Sequence, residues 1–372
     1  MLYYLKHYFD PDFDYQNLKP KLNEKGQADH FNLDYVQNVR KGDVLAEWQE
    51  ISEGDASKYD ERFVSDKKKW PLGPNVAVNP KNKDQIIATA DGYVFYFQDK
   101  IAVKTVLNVR RDVDFHTGNI YFVGDMIVHG NVRSGFKIKA KNIRIKGNVE
   151  GAKIFAKGSL VIEGGIKGAG EAEIRAQGNV KVSFCEKASL RAGEKLLIEG
   201  SALHSQLFCK KILIVNGRLQ GGIATSGNLI YVKEQLGGGM GVKTELVLGY
   251  DSDLLQINFA LEKKIGELYK QVHNLTLKIE REQNKQLINN FQQDMKRLEK
   301  KIKILRKARK KVHEILNDEF KGKAKVICPG KIRPGVEVSI GPYYYKVDDF
   351  LENGKFVVEN DDIVFKQPAL DK

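Results

Sequence analysis

Between Ile138 and Tyr231 the chain writes one phrase six times: apolar-x-small, a corner, then apolar-x-apolar. The copies begin at Ile138, Ile154, Ile174, Leu190, Leu207 and Ile223, at intervals of 16, 20, 16, 17 and 16 residues. A period this short is below that of helical repeats and fits one coil of a β-solenoid. Each coil of such a stack buries its apolar side chains against the next coil. A stack has few natural pockets, so the search for function turns to what the chain carries outside the repeat.

Strand side chains alternate between faces, so Ile138 and Ala140 share one face. Ile143 and Ile145 form a second inward pair of opposite parity, which requires a corner at Lys141-Asn142. The later copies read Ile154/Ala156 with Leu160/Ile162, Ile174/Ala176 with Val180/Val182, and Leu190/Ala192 with Leu196/Ile198. The last two read Leu207/Cys209 with Ile212/Ile214, and Ile223/Thr225 with Leu229/Tyr231. Corners at Asn142, Gly158, Gly178, Gly193 and Gly227 are expected to exploit tolerance of positive φ. A third leg follows at Gly147 and Val149, Gly164 and Ile166, and Gly217 and Leu219. Three legs give a roughly triangular section, and each buried aliphatic side chain contributes roughly 1.5–3 kcal/mol. The uneven spacing, with an insertion at Gly168-Ala-Gly-Glu171, predicts a right-handed parallel β-helix rather than a strict left-handed hexapeptide coil.

A chain of 372 residues has room for two or three domains. Four segments are expected: a β-rich accessory domain over 1–105, the β-helix over 106–250, a helical hairpin over 251–320, and a β segment over 321–372. In the first, Gly42-Asp-Val-Leu45, Ile86-Ile-Ala88 and Asp91-Gly-Tyr-Val-Phe-Tyr-Phe97 read as turns and strands. Val113, Phe115, Ile120, Phe122, Met126, Val128 and Val132 then lead into the solenoid. After Gly249 the apolar period becomes helical, at Leu254, Leu261, Ile265, Leu268, Val272, Leu275 and Ile279. A second run holds Ile288, Phe291, Met295, Leu298, Ile302, Leu305, Val312 and Leu316. The polar gap between the runs predicts an antiparallel hairpin with its tip near Gln283–Gln286. The tail returns to solenoid-like writing at Val326, Cys328, Ile332, Val336, Val338 and Ile340. A single helix of about 65 residues would strand that tail roughly 100 Å away, whereas a hairpin brings it back to complete or cap the last coil.

The ordered phrases Thr117-Gly-Asn-Ile-Tyr-Phe122, Gly147-Asn-Val-Glu-Gly-Ala152, Gly164-Gly-Ile-Lys-Gly168, His204-Ser205, Gly221-Gly222 and Thr244-Glu-Leu-Val-Leu-Gly249 resemble the bacterial flagellar assembly protein A family. Pro334-Gly-Val-x-Val-x-Ile-Gly341 fits the same family, and the resemblance runs from about Lys41 to Phe365. It implies a right-handed β-helix, an N-terminal accessory domain and a helical protrusion. It also implies a non-enzymatic role in flagellar assembly or placement at the cell pole, with no catalytic residues to carry over. Residues 1–40 match no phrase of the family.

Candidate chemistry is sparse. Asp112 and Asp114 could serve acid–base work or a calcium ion, but they recur nowhere else and read as a solvated strand face. His116, His129 and His204 fall at coil margins and read as structural rather than as general bases. The glycines at 237–239 and 241 lack the lysine and following helix of a phosphate loop. Lys41-Gly-Asp-Val-Leu-Ala46 resembles the turn of a biotinyl or lipoyl barrel, without a modifiable lysine motif. Of the three cysteines, Cys209 reads as a small core residue, and Cys185 and Cys328 have no partner at metal-ligand spacing. No cofactor, metal or disulfide is expected, and MLYYLKHYFDPDFDY does not read as a secretion signal, so a cytoplasmic setting is expected.

The net charge is +13, and +9 of it falls in KRLEKKIKILRKARKK, residues 296–311. Its basic residues are Lys296, Arg297, Lys300, Lys301, Lys303, Arg306, Lys307, Arg309, Lys310 and Lys311. They read as the solvated face of a coiled coil and are the candidate partner-binding set, toward an acidic protein surface first and a peripheral anionic membrane contact or nucleic acid after it. No aromatic residue interleaves them, which disfavours single-stranded nucleic acid. A homo-oligomer is compatible with the sequence. The expected function is a scaffold or adaptor; the rivals are a polymer-forming cytoskeletal β-helix and an enzyme acting on polysaccharide or an acyl group.

Overall fold

In the computed structural model, which describes residues 1–22, 26, 28–238, 241–318 and 323–370, each repeat phrase is a pair of short strands hydrogen-bonded in parallel to the preceding coil. The chain is mainly β, with a parallel β-solenoid of about eight turns, two helices and C-terminal strands. It divides into two compact units, Met1–Ala192 and Gly193–Lys372.

In the first unit, Ile138, Ile154, Ile174 and Leu190 stack in register, as do Ala140, Ala156, Ala176 and Ala192. The second leg stacks Met126, Ile143, Leu160 and Val180, with Val128, Ile145, Ile162 and Val182 beside them. The third leg is a column of bridges, Val113–Val132–Val149–Ile166, continued by Cys185. All of these residues are buried. The insertion forms a bulge between Lys167 and Ala172, with Ala169 and Gly170 at φ of 50° and 85°.

The corners work differently from the expectation. Neither Asn142 nor Gly158, Gly178 and Gly227 lies in the left-handed region. The glycines are required by close approach instead: a Cβ on Gly158 would sit 2.2 Å from Asn142 Oδ1, and one on Gly147 2.4 Å from the Gly130 carbonyl. Side-chain ladders run up the same edges. Asn131 Oδ1 accepts from Asn148 N and Asn148 Oδ1 from Gly165 N, while Asn142 Oδ1 accepts from Ser159 N. These bonds satisfy corner amides that the coil geometry leaves without a strand partner.

Ahead of the repeat, Val106–Val109 pairs in parallel with Asp125–Val128. Phe115, unlike its neighbours in the lead-in, is 59 % exposed and packs edge-on against Phe136. The N-terminal segment forms two larger antiparallel sheets and, among the described residues, a small antiparallel pair of Lys21–Leu22 with Ala28–Asp29. The first orders its strands Val64–Ser65, Leu2–His7, Val44–Ile51, Asn82–Ala88 and Val76–Asn79. The second places Gly92–Phe97 between Lys100–Lys104 and Asn38–Val39. Gln98 and Asp99, both at positive φ, close a two-residue hairpin. Leu5, Leu45, Ile86, Val94, Ile101 and Val103 form their shared core.

In the second unit the stack slips by one residue from the expected alignment. Leu207 pairs with Ala224 and Cys209 with Ser226, so Ile223 faces outward. In the second legs Leu196 stacks on Leu213 and Leu213 on Ile230, which puts Leu213/Val215 and Ile230/Val232 inside instead of Ile212/Ile214 and Leu229/Tyr231. Isoleucine-Leu-Ile-Val and Leu-Ile-Tyr-Val are apolar on both faces, so alternation alone does not fix their parity; the neighbouring coil does. The polar Thr225 and Ser226 hydroxyls are buried and donate to the Leu207 and Lys211 carbonyls.

Helix α1 (Ser252–Arg281) and helix α2 (Lys285–Asp318) are inserted where other coils have a corner, between strand Thr244–Leu248 and strand Lys325–Ile332. Asp251 caps α1 by accepting from Asp253 N and Leu254 N, and Asn284 caps α2 by accepting from Gln286 N and Leu287 N. The reversal thus falls at residues 282–284. Antiparallel pairing follows from contacts that descend α1 as they climb α2: Arg309 to Glu262, Arg306 over Tyr269, Thr276 to Met295, Lys278 over Phe291. Ile265, Leu268 and Ile302 are the buried centre of the seam, with Val272, Leu298 and Leu305 around them. The first turns of α1 lie on the outer face of strand Ala202–Cys209, where Phe259 meets Phe208. That cover explains why Leu207, Phe208 and Cys209 are all buried in succession.

The tail then completes a coil. Val326 stacks on Ile230, Ile332 on Leu236, and Val338 and Ile340 on Leu246 and Leu248, all in parallel. Tyr343–Val347 and Leu351–Glu359 next pair antiparallel to these strands, and Asp362–Lys366 folds back on the latter. The change from parallel to antiparallel ends the repeat.

Candidate docking surfaces

A helix whose seam takes every third or fourth residue leaves the rest of its circumference to solvent. On α2 the seam takes Phe291, Met295, Leu298, Ile302, Leu305, Val312 and Leu316, all at least half-buried. Nine of the ten basic residues of 296–311 are exposed, Arg309 alone being half-buried. Arg297 pairs with Asp294, Arg309 with Glu262 and Lys310 with Glu314, while Arg306 lies 5.4 Å over the Tyr269 ring. Lys296, Lys300, Lys301, Lys303, Lys307 and Lys311 have no ion-pair or ring partner among the described residues. The charge is one-sided within the pair: α1 has five Lys or Arg against four acids, α2 eleven against four. The structure therefore gathers the basic set on one helix and leaves six of the set's seven lysines without an ion-pair partner among the described residues.

The carboxylates singled out at the start of the solenoid, Asp112 and Asp114, are engaged in local hydrogen bonds. Asp112 Oδ1 accepts from Asn131 N and its Oδ2 from Arg133 Nε, and Arg133 also pairs with Glu150. Partial burial pulls the Asp112 carboxyl up, and the bonds from Asn131 and Arg133 more than offset it, leaving it below the usual range. Asp114 accepts from His116 N and closes a turn with Thr117. His129 reaches Asn108 at 3.3 Å, and His204 is an exposed corner residue at φ 49°. The three cysteines are buried and none forms a disulfide; burial pushes the Cys209 thiol up and the Cys328 thiol to about 11. No group of three His, Cys, Asp or Glu is placed to hold a metal among the described residues. Of the glycines at 237–241, Gly237 and Gly241 take positive φ in a turn, and Gly239 lies outside the described residues.

The N-terminal sheets hold a feature that spacing does not reveal. Trp48, Phe63, Trp70 and Tyr96 wall a cleft of about 470 Å³, with Arg62, Lys69, Asp99 and Lys100 on its rim. Trp48 lies 5.8 Å from Trp70, and Phe63 5.3 Å from Tyr96. Behind them His7 packs against Phe9, Phe63 and Tyr96. Its Nε2, like the Trp48 indole nitrogen, is buried with no hydrogen-bond partner among the described residues. Burial, with the Arg62 guanidinium nearby, pushes His7 down to about 4, so it is neutral near pH 7. The lining of the cleft comes from five separated stretches of chain; the one trace in the sequence is that both tryptophans of the chain fall here.

No helix among the described residues is long and apolar enough to cross a membrane. A family model described as the Flagellar Assembly Protein A beta solenoid domain matches residues 105–363, which takes in the coils, both helices and most of the closing strands. No curated protein and no solved structure matches the chain.

Proposed function

Because the chain belongs to the flagellar assembly protein A family, we propose that it acts in flagellar assembly as a non-catalytic scaffold whose α2 lysines dock an acidic protein partner. The observation that carries this reading is the exposed, unneutralised row Lys296, Lys300, Lys301, Lys303, Lys307 and Lys311 on a helix pair seated at a coil corner. A row of lysines raises the encounter rate with acidic surfaces and selects against basic ones. Holding them on a two-helix arm rather than a loop fixes their spacing before the partner arrives.

The division of labour follows the four segments. Residues 106–250 with 321–372 are the stacked spine, 251–320 the basic arm, and 1–105 a second recruiting surface. A cytoplasmic site of action at the cell pole belongs to the same reading. The antiparallel closing strands support a unit that ends rather than one that polymerises end to end, because they replace the parallel edge a further coil would need.

The test is a pull-down from flagellated bacteria with three baits: the full chain, the full chain carrying Lys296→Glu, Lys300→Glu, Lys303→Glu, Lys307→Glu and Lys311→Glu, and a chain lacking residues 1–105. Loss of an acidic protein from the charge-reversed bait alone is the expected result. Equal recovery by the first two baits removes α2 as the docking surface. Regular fibres in electron micrographs of the purified chain would instead favour a polymer.

A further inference from the structure

The outer side of α2 is not purely basic. Ile304 is 68 % exposed and Ile315 47 % exposed, and neither belongs to the seam with α1. With Ala308 and Lys311 they occupy positions 304, 308, 311 and 315, steps of four, three and four that place them along one side of a helix. Lys300 and Lys307 flank this strip, and Lys311 lies within it. The result is a narrow apolar ridge edged by lysines, running about 17 Å along the helix at 1.5 Å per residue.

That arrangement is more specific than charge alone requires. An acidic surface of any shape would be satisfied by lysines on a polar helix, with no use for two β-branched side chains held in water. A ridge at three- and four-residue spacing matches the side chains of a second helix, whose own ridge interdigitates with it. We propose that the partner segment read by this face is an acidic amphipathic helix, which packs apolar residues against Ile304, Ala308 and Ile315 and sets carboxylates against the flanking lysines. This rests on α2 being the docking surface, and it adds the partner's secondary structure and the residues that select it. An anionic bilayer fits the face less well. The exposed strip between Lys296 and Ile315 has no Trp, Phe or Leu to enter the acyl boundary.

The experiment titrates the full chain with a three-heptad peptide carrying leucine at two positions per heptad and glutamate at most others. A scrambled peptide of identical composition and phosphatidylcholine–phosphatidylserine vesicles are titrated in parallel. The expected result is that the patterned peptide gains helical circular dichroism on binding and binds about tenfold tighter than the scramble. The double variant Ile304→Gln and Ile315→Gln removes that preference and keeps the weak, salt-sensitive binding of both peptides. Equal binding of pattern and scramble overturns the helix inference while leaving an acidic docking surface in place. Tighter binding to the vesicles than to either peptide overturns it in favour of a membrane. If the lysine-to-glutamate variant binds the scramble as well as the parent does, the docking surface itself fails.

Discussion

The solenoid and the helix pair bury aliphatic side chains in different ways. An inward residue such as Leu160 has coil-mates above and below it, Ile143 side and Val180 side alike, and is fully buried. In the helix pair the same residue types share one seam, and only a few turns of it, around Ile265, Leu268 and Ile302, are closed off. The first arrangement uses nearly every apolar side chain for stacking. The second leaves most of its circumference free, and that is where the unpaired lysines and exposed isoleucines sit. The repeat supplies rigidity, and the interruption of the repeat supplies surface.

The largest effect should come from the stack. Leu160→Ala leaves a cavity between two coils and should cost about 3 kcal/mol, read from urea unfolding by circular dichroism. If the loss were under 1 kcal/mol, the coils would be repacking as loosely as a helix seam. Ile302→Ala should cost about 2 kcal/mol, expressed as loss of helical signal at lower denaturant while the β signal keeps its midpoint. Coincident shifts of both signals would mean that arm and spine unfold as one body, and the contrast would fail.

The smallest effect concerns acid. The fully buried polar residues of the coils, among them Thr117, Ser205, Thr225, Ser226 and Thr244, do not ionise, whereas the N-terminal sheets hold a half-buried His7 with its Nε2 enclosed. Its pKa is about 4 folded against 6.5 as the ordinary value, with Arg62 lowering it and Asp60 and Asp12 raising it. The unfolded chain therefore binds the extra proton between those values, so stability contributed by neutral His7 is complete above pH 6.5 and declines as pH falls toward 4. Melting followed by emission of Trp48 and Trp70 should show this decline, and His7→Phe should flatten it. An unchanged slope in the variant would place the acid sensitivity elsewhere.

How much was legible in the chain follows the same division. The Ile-x-Ala phrase has one apolar parity, so the first four coils could be aligned residue by residue. Beyond Leu207 the segments Leu207-Phe-Cys209 and Ile212-Leu-Ile-Val215 are apolar at every position, and their facing is decided by Phe259 of α1 and by the neighbouring coil. No local pattern contains that information. The corner glycines were recognisable as corners, but a glycine needed for backbone approach is written the same way as one needed for positive φ. The helix pair was plain from its three- and four-residue steps, and the basic run from its composition. The aromatic cleft was not, because Leu5, Trp48, Phe63, Trp70 and Tyr96 converge only after the sheets pair.

The position of the helix pair also sets a clock. Strand Thr244–Leu248 leaves the ribosome roughly 75 residues before Lys325–Ile332, the strand that continues its coil. At about 5–20 residues per second, the nascent stack keeps an open, unpaired end for roughly 4–15 s while both helices are made. The helices can form from local contacts during that interval, and their reversal returns the chain to the edge that is waiting. A longer arm would lengthen the exposure and a shorter one would reduce it. The length of the insertion is therefore a term in the folding yield as well as in the reach of the surface it carries.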